Sequence, residues 1–442
     1  MALSGLDIYK LLPKTNCREC GFATCLAFAM QLAKKAVSID KCPYITDESK
    51  KVLEASSLPP IRLVTFGTDK SKIEVGNETV LFRHEEKFYH PTAIGFIIDD
   101  DLPDKEIKEK LSEINQLRFE RVGQLLEVNL VALRQKGNRQ RFIEALKLIL
   151  DNTQLALVLM SKDLQAQAQA LELSKDRRPL VYPLGEKNLS DFAGTVLKYK
   201  APIVVSADTL DELSRITKEL NSKGLDDLVL DTGNKSLTQK IWDLTSIRRF
   251  ALKRGERSLG YPTIVIVEDN DPYEETMTAA TGILKYASIV LIKSTRNWQV
   301  LSLLTLRQNI YTDPQKPLQI EPKLYPIGQA TAQSPVLVTT NFSLTYYTVL
   351  GEVEASKVPS YILSVDTEGM SVLTGWAAEK FTPEKITDSL NKFAVKETVS
   401  HQRLIIPGYV AVMSGDLEDK SGWQVTVGPK EASGIPSFLK NL

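Results

Sequence analysis

Cysteine is confined to one end of this 442-residue chain: it has four, and residues 43–442 contain none. Disulfides therefore play no part in holding the bulk of the protein together. An excess of charge is missing too. Lys plus Arg and Asp plus Glu stand at 55 each, so no global field draws the chain to nucleic acid or to an anionic membrane, and neither partner is expected. No apolar run approaches the ~18 residues of a membrane-spanning helix. The opening MALSGLDIYKLLPK lacks the charged start, apolar stretch and small-residue cleavage site of a secretory leader. A cytoplasmic location follows as the expectation. Histidine is scarce, with only His84, His90 and His401. Neither G-x-G-x-x-G nor a P-loop occurs, which removes the usual phosphate anchors.

What is present is organised in blocks. The length exceeds what one core normally holds and implies about two or three domains. Cys17, Cys20, Cys25 and Cys42 follow the spacing C-x2-C-x4-C-x16-C, with Gly21 inside and Pro43 behind. In a reducing compartment such a group suits metal or redox chemistry better than disulfides. Thiolates are the ligands, so a bound metal would hold all four deprotonated. Structural zinc and an iron-sulfur cluster both accept four sulfurs. The unequal gaps and the trailing Cys-Pro favour a four-iron cluster, with zinc second and free thiols third. LAFAMQLAKKAVS reads as a helix, with Leu26, Met30 and Ala33 at i, i+4 and i+7 and with Lys34 and Lys35 near its end. Lys14, Arg18 and Lys41 would offset cluster charge or are simply solvated.

From about residue 58, apolar β-rich runs alternate with amphipathic stretches of helical length. The runs are TAIGFIID, QLLEVNLVAL, QLALVLM, RPLVYPL, APIVVSA, DLVLDTG, PTIVIVED and SIVLIKS. Nearly continuous apolarity marks strands buried on both faces. Eight alternations predict an α/β fold with a closed (β/α)8 TIM barrel over 58–311. IRLVTFG and KIEVGNETVLFR read as a hairpin closing its floor. The strand ends offer Asp99, Asp100, Asn129, Asp163, Asp208, Asp231, Asn234, Glu268 and Asp269. These suit acid/base work at the barrel mouth, and they equally suit helix caps and turns.

Residues 312–329 carry four prolines (314, 317, 322 and 326) and read as an extended linker. Beyond it, 330–442 alternate strand and helix again, with Thr382 and Pro383 opening one helix. This predicts a small doubly wound, Rossmann-like (flavodoxin-like) sheet that binds a ligand beyond its strand ends. Those ends are rich in hydroxyls and glycine, at Thr339–Ser343, Asp366–Gly369, Pro407–Tyr409 and Gly428–Pro429. Such a lining suits a large, flat ligand bearing carboxamides. Glycines and hydroxyls are also common turn formers.

The order of parts, an N-terminal 4Fe-4S cluster domain over 1–57, then barrel, then small Rossmann-like domain, resembles the large (gamma) subunit of the corrinoid iron-sulfur protein of the anaerobic acetyl-CoA pathway. The resemblance covers the whole chain, and the cysteine spacing followed by CPYI is its most specific part. It implies a methyl carrier rather than an autonomous enzyme. A cobalt corrinoid of the cobalamin type on the C-terminal domain, as Co(I), takes the methyl group of methyltetrahydrofolate from a separate methyltransferase and passes it to the nickel-iron cluster of acetyl-CoA synthase. The resemblance also implies a heterodimer with a small barrel subunit, an ATP-dependent reductive activator, and a 4Fe-4S cluster that re-reduces Co(II).

Many corrinoid domains hold the lower cobalt face with the His of a D-x-H-x-x-G motif. Here VDTEGMS has Asp366 and Gly369 but no His between them. A lower face without a strong donor makes Co(I) easier to reach. Carried over by resemblance, that face lies against Gly369, Met370, Ser371, Val372, Leu373, Thr374 and Gly375, with Thr374 nearest cobalt and Gly375 giving clearance. One edge of the ring or its tail falls to Thr340, Asn341, Ser343 and Thr345, and the other side to Gly408, Gly428, Ala432, Gly434 and Ile435. Thr374 is otherwise a turn residue before Trp376. Three other readings stay open: an iron-sulfur flavoprotein in which TTNFS cradles a phosphate, a barrel that is itself a pterin methyltransferase using Asn129 and Asp231, and a zinc-stabilised scaffold with no redox role.

Overall fold

A computed structural model describes residues 5–33, 36–50, 53, 59–183 and 189–442. Contacts divide the chain into two compact units, 1–119 with 127–311, and 120–126 with 312–442. The boundary expected at residue 57 falls among positions outside the described residues, as do Lys34 and Lys35.

In the first unit, β1 (Val64–Phe66) and β2 (Ile73–Val75) form an antiparallel hairpin. After it come β3 (Ala93–Asp99), β6 (Leu130–Arg134) and β7 (Ala156–Ser161); between β3 and β6 in the chain lies the pair β4 (Arg118–Arg121) and β5 (Gln124–Glu127), whose residues 120–126 are grouped with the second unit. β8 (Leu180–Pro183), β9 (Ile203–Ser206), β10 (Leu228–Asp231), β11 (Thr263–Ile266) and β12 (Ile289–Ile292) follow. Strands β3 and β6 to β12 close into a parallel barrel in chain order, β12 pairing back to β3. The apolar runs fold this way because both strand faces are covered, inward by the barrel core and outward by helices. The hairpin side chains Val64, Phe66, Ile73 and Val75 share one apolar cluster with Ala93, Leu130, Ala156, Leu180 and Ile289. Those five residues open their strands, so the hairpin plugs the floor.

One run is two elements. QLLEVNLVAL splits into β5, which pairs with β4, and the barrel strand β6. The β4–β5 turn places Val122 and Gly123 at φ 54° and 68°, the left-handed pair of a tight two-residue hairpin. Asn129 consequently precedes β6 and sits at the floor, where its Oδ1 accepts from the Ile94 N–H at 3.1 Å. It is not a mouth residue.

In the second unit, β13 (Leu324–Ile327), β14 (Val336–Thr340), β15 (Ser360–Val365), β16 (Arg403–Ile406) and β17 (Gln424–Val427) form one open sheet ordered β13-β15-β14-β16-β17. All neighbours are parallel except β13, which runs antiparallel along β15. The proline-rich stretch therefore supplies an edge strand rather than only a linker. Pro326 is tolerated there because an edge strand can spare one N–H.

Alternate residues face opposite ways. Val336, Val338, Leu363, Val365, Leu404 and Ile406 pack on one side against Phe381, Ile386, Leu390 and Val410. Leu337, Ile362 and Ile405 pack on the other against Tyr346, Val353, Ile435 and Leu439. Both faces of the sheet are thus covered by helices.

Candidate metal centre and cofactor site

The cysteine segment is built on two helices that pack together, Gly5–Leu11 and Cys25–Ala33. Its loop winds through left-handed residues, Lys14, Asn16, Arg18 and Gly21 at φ 59°, 50°, 68° and 85°. Asn16 fastens the turn: its Oδ1 accepts from the Cys25 N–H at 2.8 Å, and its own N–H donates to Cys25 Sγ at 3.4 Å. Sequence reading passed over Asn16, although Asn is among the few non-glycine residues that tolerate φ > 0. The helix buries Cys25, Phe28 and Ala29, whereas Leu26 and Met30 are exposed. The apolar stripe is therefore rotated by one position from the expected Leu26, Met30 and Ala33, because Cys25 is itself turned into the core.

Cys25 and Cys42 are buried, Cys20 is half-buried and Cys17 is exposed. Cys20, Cys25 and Cys42 share one apolar cluster. Burial pushes the Cys42 thiol up, and the nearby Cys20, Cys25 and Cys17 push it further in the same direction. Such a group becomes a set of thiolates only when cationic metal compensates it. Among the described residues, no three His, Cys, Asp or Glu side chains are arranged to hold a single metal ion. The exposed Lys14, Arg18 and Lys41 flank the cysteines in sequence.

In the second unit, the strand order switches sides at β14, with β15 on one flank and β16 on the other, the place where open parallel sheets leave a crevice beyond their strand ends. A cavity of about 410 Å³ opens there. Leu337, Thr339, Ile405 and Ile406 form its floor, while Leu344, Thr345, Thr348 and Val349 on helix Ser343–Ser356 form one wall. Ser371, Val372 and Leu373 lie at another side, and Pro407, Tyr409, Gly428, Pro429, Lys430, Ala432 and Ile435 complete it. The mouth is apolar: Leu344, Leu373 and Tyr409 are 68%, 46% and 42% exposed. Tyr409 donates to Glu431, and that hydrogen bond and charge hold its phenol above the usual range.

Seven of the sequence-derived positions line the cavity: Thr345, Ser371, Val372, Leu373, Gly428, Ala432 and Ile435. Thr374 is exposed one residue further on, and its hydroxyl lies 3.0 Å from that of Ser371. Met370 precedes this turn, and its carbonyl accepts from Thr367 Oγ1 at 2.9 Å. The remaining glycines serve protein packing. A side chain on Gly408 would begin 2.6 Å from the Gly428 carbonyl oxygen, and one on Gly434 2.9 Å from Pro429. Gly369 has φ 77° and faces Gln319, while Gly375 abuts Phe381 and Thr367.

Asn341 does not line the cavity. Its Oδ1 accepts from Thr367 N, Thr367 Oγ1 and Gly369 N at 2.9, 3.0 and 3.1 Å, and its Nδ2 donates to Gln319 and Asp366. Thr340 and Ser343 are buried, and their hydroxyls have no protein partner; the same holds for Thr339 and Ser364. Four unpaired hydroxyls around the ends of β14 and β15 are costly unless something bonds them. Of the four, only Thr339 lines the cavity. Sequence reading missed the apolar floor and the Thr348–Val349 wall, because a strand's core residue and a cavity's floor residue look alike in one dimension.

At the barrel mouth several of the acids are already engaged by donors of the protein itself. Arg134, 5% exposed, donates to Asp99 at 2.5 and 2.9 Å and to Glu268 at 2.6 Å. Asp231 accepts from Tyr182, from Ser206 at 2.7 Å and from Gly233 N at 3.1 Å. Asp163 caps helix Leu164–Ser174.

A family model described as CO dehydrogenase/acetyl-CoA synthase delta subunit matches residues 63–439, and a separate Fe-S cluster model matches residues 12–44. The corrinoid/iron-sulfur protein large subunit of Moorella thermoacetica is 45% identical over 441 residues, covering 100% of this chain and 99% of that protein. Acetyl-CoA decarbonylase/synthase complex subunit gamma of Methanothermobacter thermautotrophicus is 37% identical, over 100% of this chain and 99% of its own length. The same subunit of Methanopyrus kandleri is 35% identical over 99% of this chain and 97% of its own length. These full-length matches include the cysteine segment, which lies outside the delta-subunit match. The chain belongs to the family of the corrinoid/iron-sulfur protein large subunit and the acetyl-CoA decarbonylase/synthase gamma subunit.

Proposed function

We propose that this chain is the methyl-group carrier of anaerobic acetyl-CoA synthesis. In this reading residues 330–442 are a Rossmann-like corrinoid-binding domain, and the four cysteines hold a 4Fe-4S cluster. The observation that carries it is the cavity beyond the ends of β14, β16 and β17, apolar in its floor and lined by Thr339, Thr345, Thr348 and Ser371. A cobalt corrinoid bound there supplies a metal nucleophile that accepts a methyl group and gives it up again.

The chain's own residues do the rest. Leu337, Ile405, Val349 and Ile435 exclude water from the slot. Thr345 and Thr348 offer hydroxyls to the ligand's amides from the cavity wall, and Ser371 and Thr374 border the rim on one side. No histidine lies between Asp366 and Gly369, so this segment offers cobalt no imidazole. Asn341 keeps the 366–369 loop in shape. At the other end of the chain, Cys17, Cys20, Cys25 and Cys42 would hold the cluster, and the Asn16 N–H on Cys25 Sγ is of the kind that raises a cluster's potential.

The methyl donor is methyltetrahydrofolate, delivered by a separate methyltransferase, and the acceptor is acetyl-CoA synthase. A small subunit and an ATP-dependent reductive activator complete the set of partners, in the cytoplasm. The flavin reading loses support because the TTNFS backbone is already engaged: Asn341 N donates to Val365 O and Ser343 N to Leu318 O, each at 2.9 Å. The barrel-methyltransferase reading loses its pair, since Asn129 lies at the floor and Asp231 at the mouth. The test uses the anaerobically purified, corrinoid-loaded chain with methyl-labelled methyltetrahydrofolate. Label should stay on the protein only when the methyltransferase is added. Label transfer without that enzyme, or none with it, would sink the reading.

A further inference from the structure

The motif Cys-Pro-Tyr-Ile behind the last cysteine contains one residue that metal binding leaves without a role. Tyr44 is 52% exposed, so burial does not hold its ring. Its hydroxyl donates instead to Glu19 Oε1 at 2.8 Å, across 25 positions of the chain. Glu19 stands between Cys17 and Cys20, and Tyr44 stands two residues beyond Cys42. This one bond therefore joins the two arms that bring the four sulfurs together. An exposed hydrogen bond between side chains contributes little to stability, which leaves its purpose open.

The choice of donor supplies that purpose. Asp7 and Asp40 in the same segment are ion-paired, to Lys10 at 3.0 Å and to Lys50 at 2.6 Å. Glu19 has Arg18 as its chain neighbour, yet among the described residues it makes no ion pair, and its partner is a neutral phenol. Its negative charge is thus fixed in place without being cancelled. Cys25 and Cys42 are buried while Cys17 is exposed, so the ligand set has a dry side and a wet side. Glu19 is itself exposed and lies beside the wet one, its Cα one peptide, about 3.8 Å, from that of Cys20. Adding one electron to a cluster held by four thiolates raises its negative charge by one, and a carboxylate at such range opposes that addition. The Asn16 N–H on Cys25 Sγ acts in the other direction.

On the reading that the four cysteines hold a 4Fe-4S cluster, we propose that Glu19 lowers the potential of that cluster and that Tyr44 is the positioning residue that holds the carboxylate where it does so. The two together keep the cluster a strong one-electron reductant, as the re-reduction of Co(II) to Co(I) requires. Arg18 and Lys41 do not undo the effect, because among the described residues no ion pair fixes them and water screens a charge on a free side chain.

The test uses the full chain, purified anaerobically, with iron counted first. A potentiometric titration, with the reduced cluster followed by its electron spin resonance, then compares wild type with E19Q, Y44F and the double variant. At the applied potential where wild type is half reduced, E19Q should raise the ratio of reduced to oxidised cluster about three- to tenfold. Y44F should act in the same direction by a smaller factor, and adding it to E19Q should change nothing further, since the phenol then has no charge to place. A purely structural strap would change iron content and leave the potential alone. E19Q with full iron and an unchanged potential overturns the proposal, and so does a Y44F shift of equal size with and without E19Q. Should E19Q lose its iron, Y44F decides alone, and a potential no more positive than that of wild type overturns the proposal. Wild type without cluster iron defeats the cluster reading itself, and the iron count tells the two failures apart.

Discussion

The side-chain oxygen of Asn341 holds the backbone N–H of Thr367 at 2.9 Å, tying the end of β14 to the loop after β15. Five hydrogen bonds converge on this one amide. N341A should strand buried N–H groups of Thr367 and Gly369 and cost about 1–3 kcal/mol. N341D keeps the acceptor but sets a carboxylate against Asp366, and should be no better. Urea melts followed in the second unit, together with cobalt retention, check both. Full stability and full cobalt in N341A would show the clamp to be unimportant.

The close approach of Gly408 to Gly428 makes a second position intolerant of change. A Cβ at residue 408 would lie 2.6 Å from the Gly428 carbonyl oxygen and 2.8 Å from Lys430 N, both backbone atoms that cannot swing aside. G408A should destabilise the sheet end by about 1–3 kcal/mol and lower cobalt content, measured by metal analysis beside a thermal melt. The exposed Thr374 offers the contrast: T374V should melt as wild type does, and any change should appear only in the cobalt spectrum.

The barrel-mouth ion group yields a pH test. Burial opposes ionisation of Asp99, but the hydrogen bonds and charge of Arg134 outweigh it and hold the carboxyl below its ordinary value. A depressed folded value means that the contribution to stability is complete above the unfolded value of about 3.9 and is lost as pH falls through the folded one. R134M should therefore cost about 2–3 kcal/mol near neutrality, and the gap to wild type should narrow below about pH 4. Melting midpoints at pH 7 and pH 3 check the sign.

Much of this architecture can be read from the sequence because its signals are periodic. Strands buried on both faces are continuous apolar runs, so each of the eight barrel strands can be located before any coordinates are seen. Where two elements abut without a turn signature, as at Glu127 to Leu130, the runs merge and Asn129 is assigned to the wrong end of the barrel. The edge strand Leu324–Ile327 hides because Pro326, with more prolines upstream, argues against any strand, and only the edge position makes it tolerable. Site residues are legible as chemistry but not as direction. Thr345 and Ser371 face the cavity, whereas Asn341 and Gly375, of equally suggestive type, turn into the protein.

At the cysteine end, C25S should remove most of the iron while leaving cobalt in place, since the two sites are built from separate parts of the chain. N16A, which removes the side-chain acceptor for the Cys25 N–H, should loosen the loop and speed iron loss to a chelator. Iron and cobalt measured on the same samples check both. Loss of the two metals together in C25S would contradict independent sites.

The account rests most heavily on the cavity beyond β14 and β16 being the corrinoid seat, and cobalt content of the intact, anaerobically purified chain tests it most directly. Wild type should carry about one cobalt and about four irons per chain. T345W, which fills the slot, should keep the iron and lose at least about nine-tenths of the cobalt. Equal cobalt in the two proteins, or none in wild type after a corrinoid is supplied, would contradict the account.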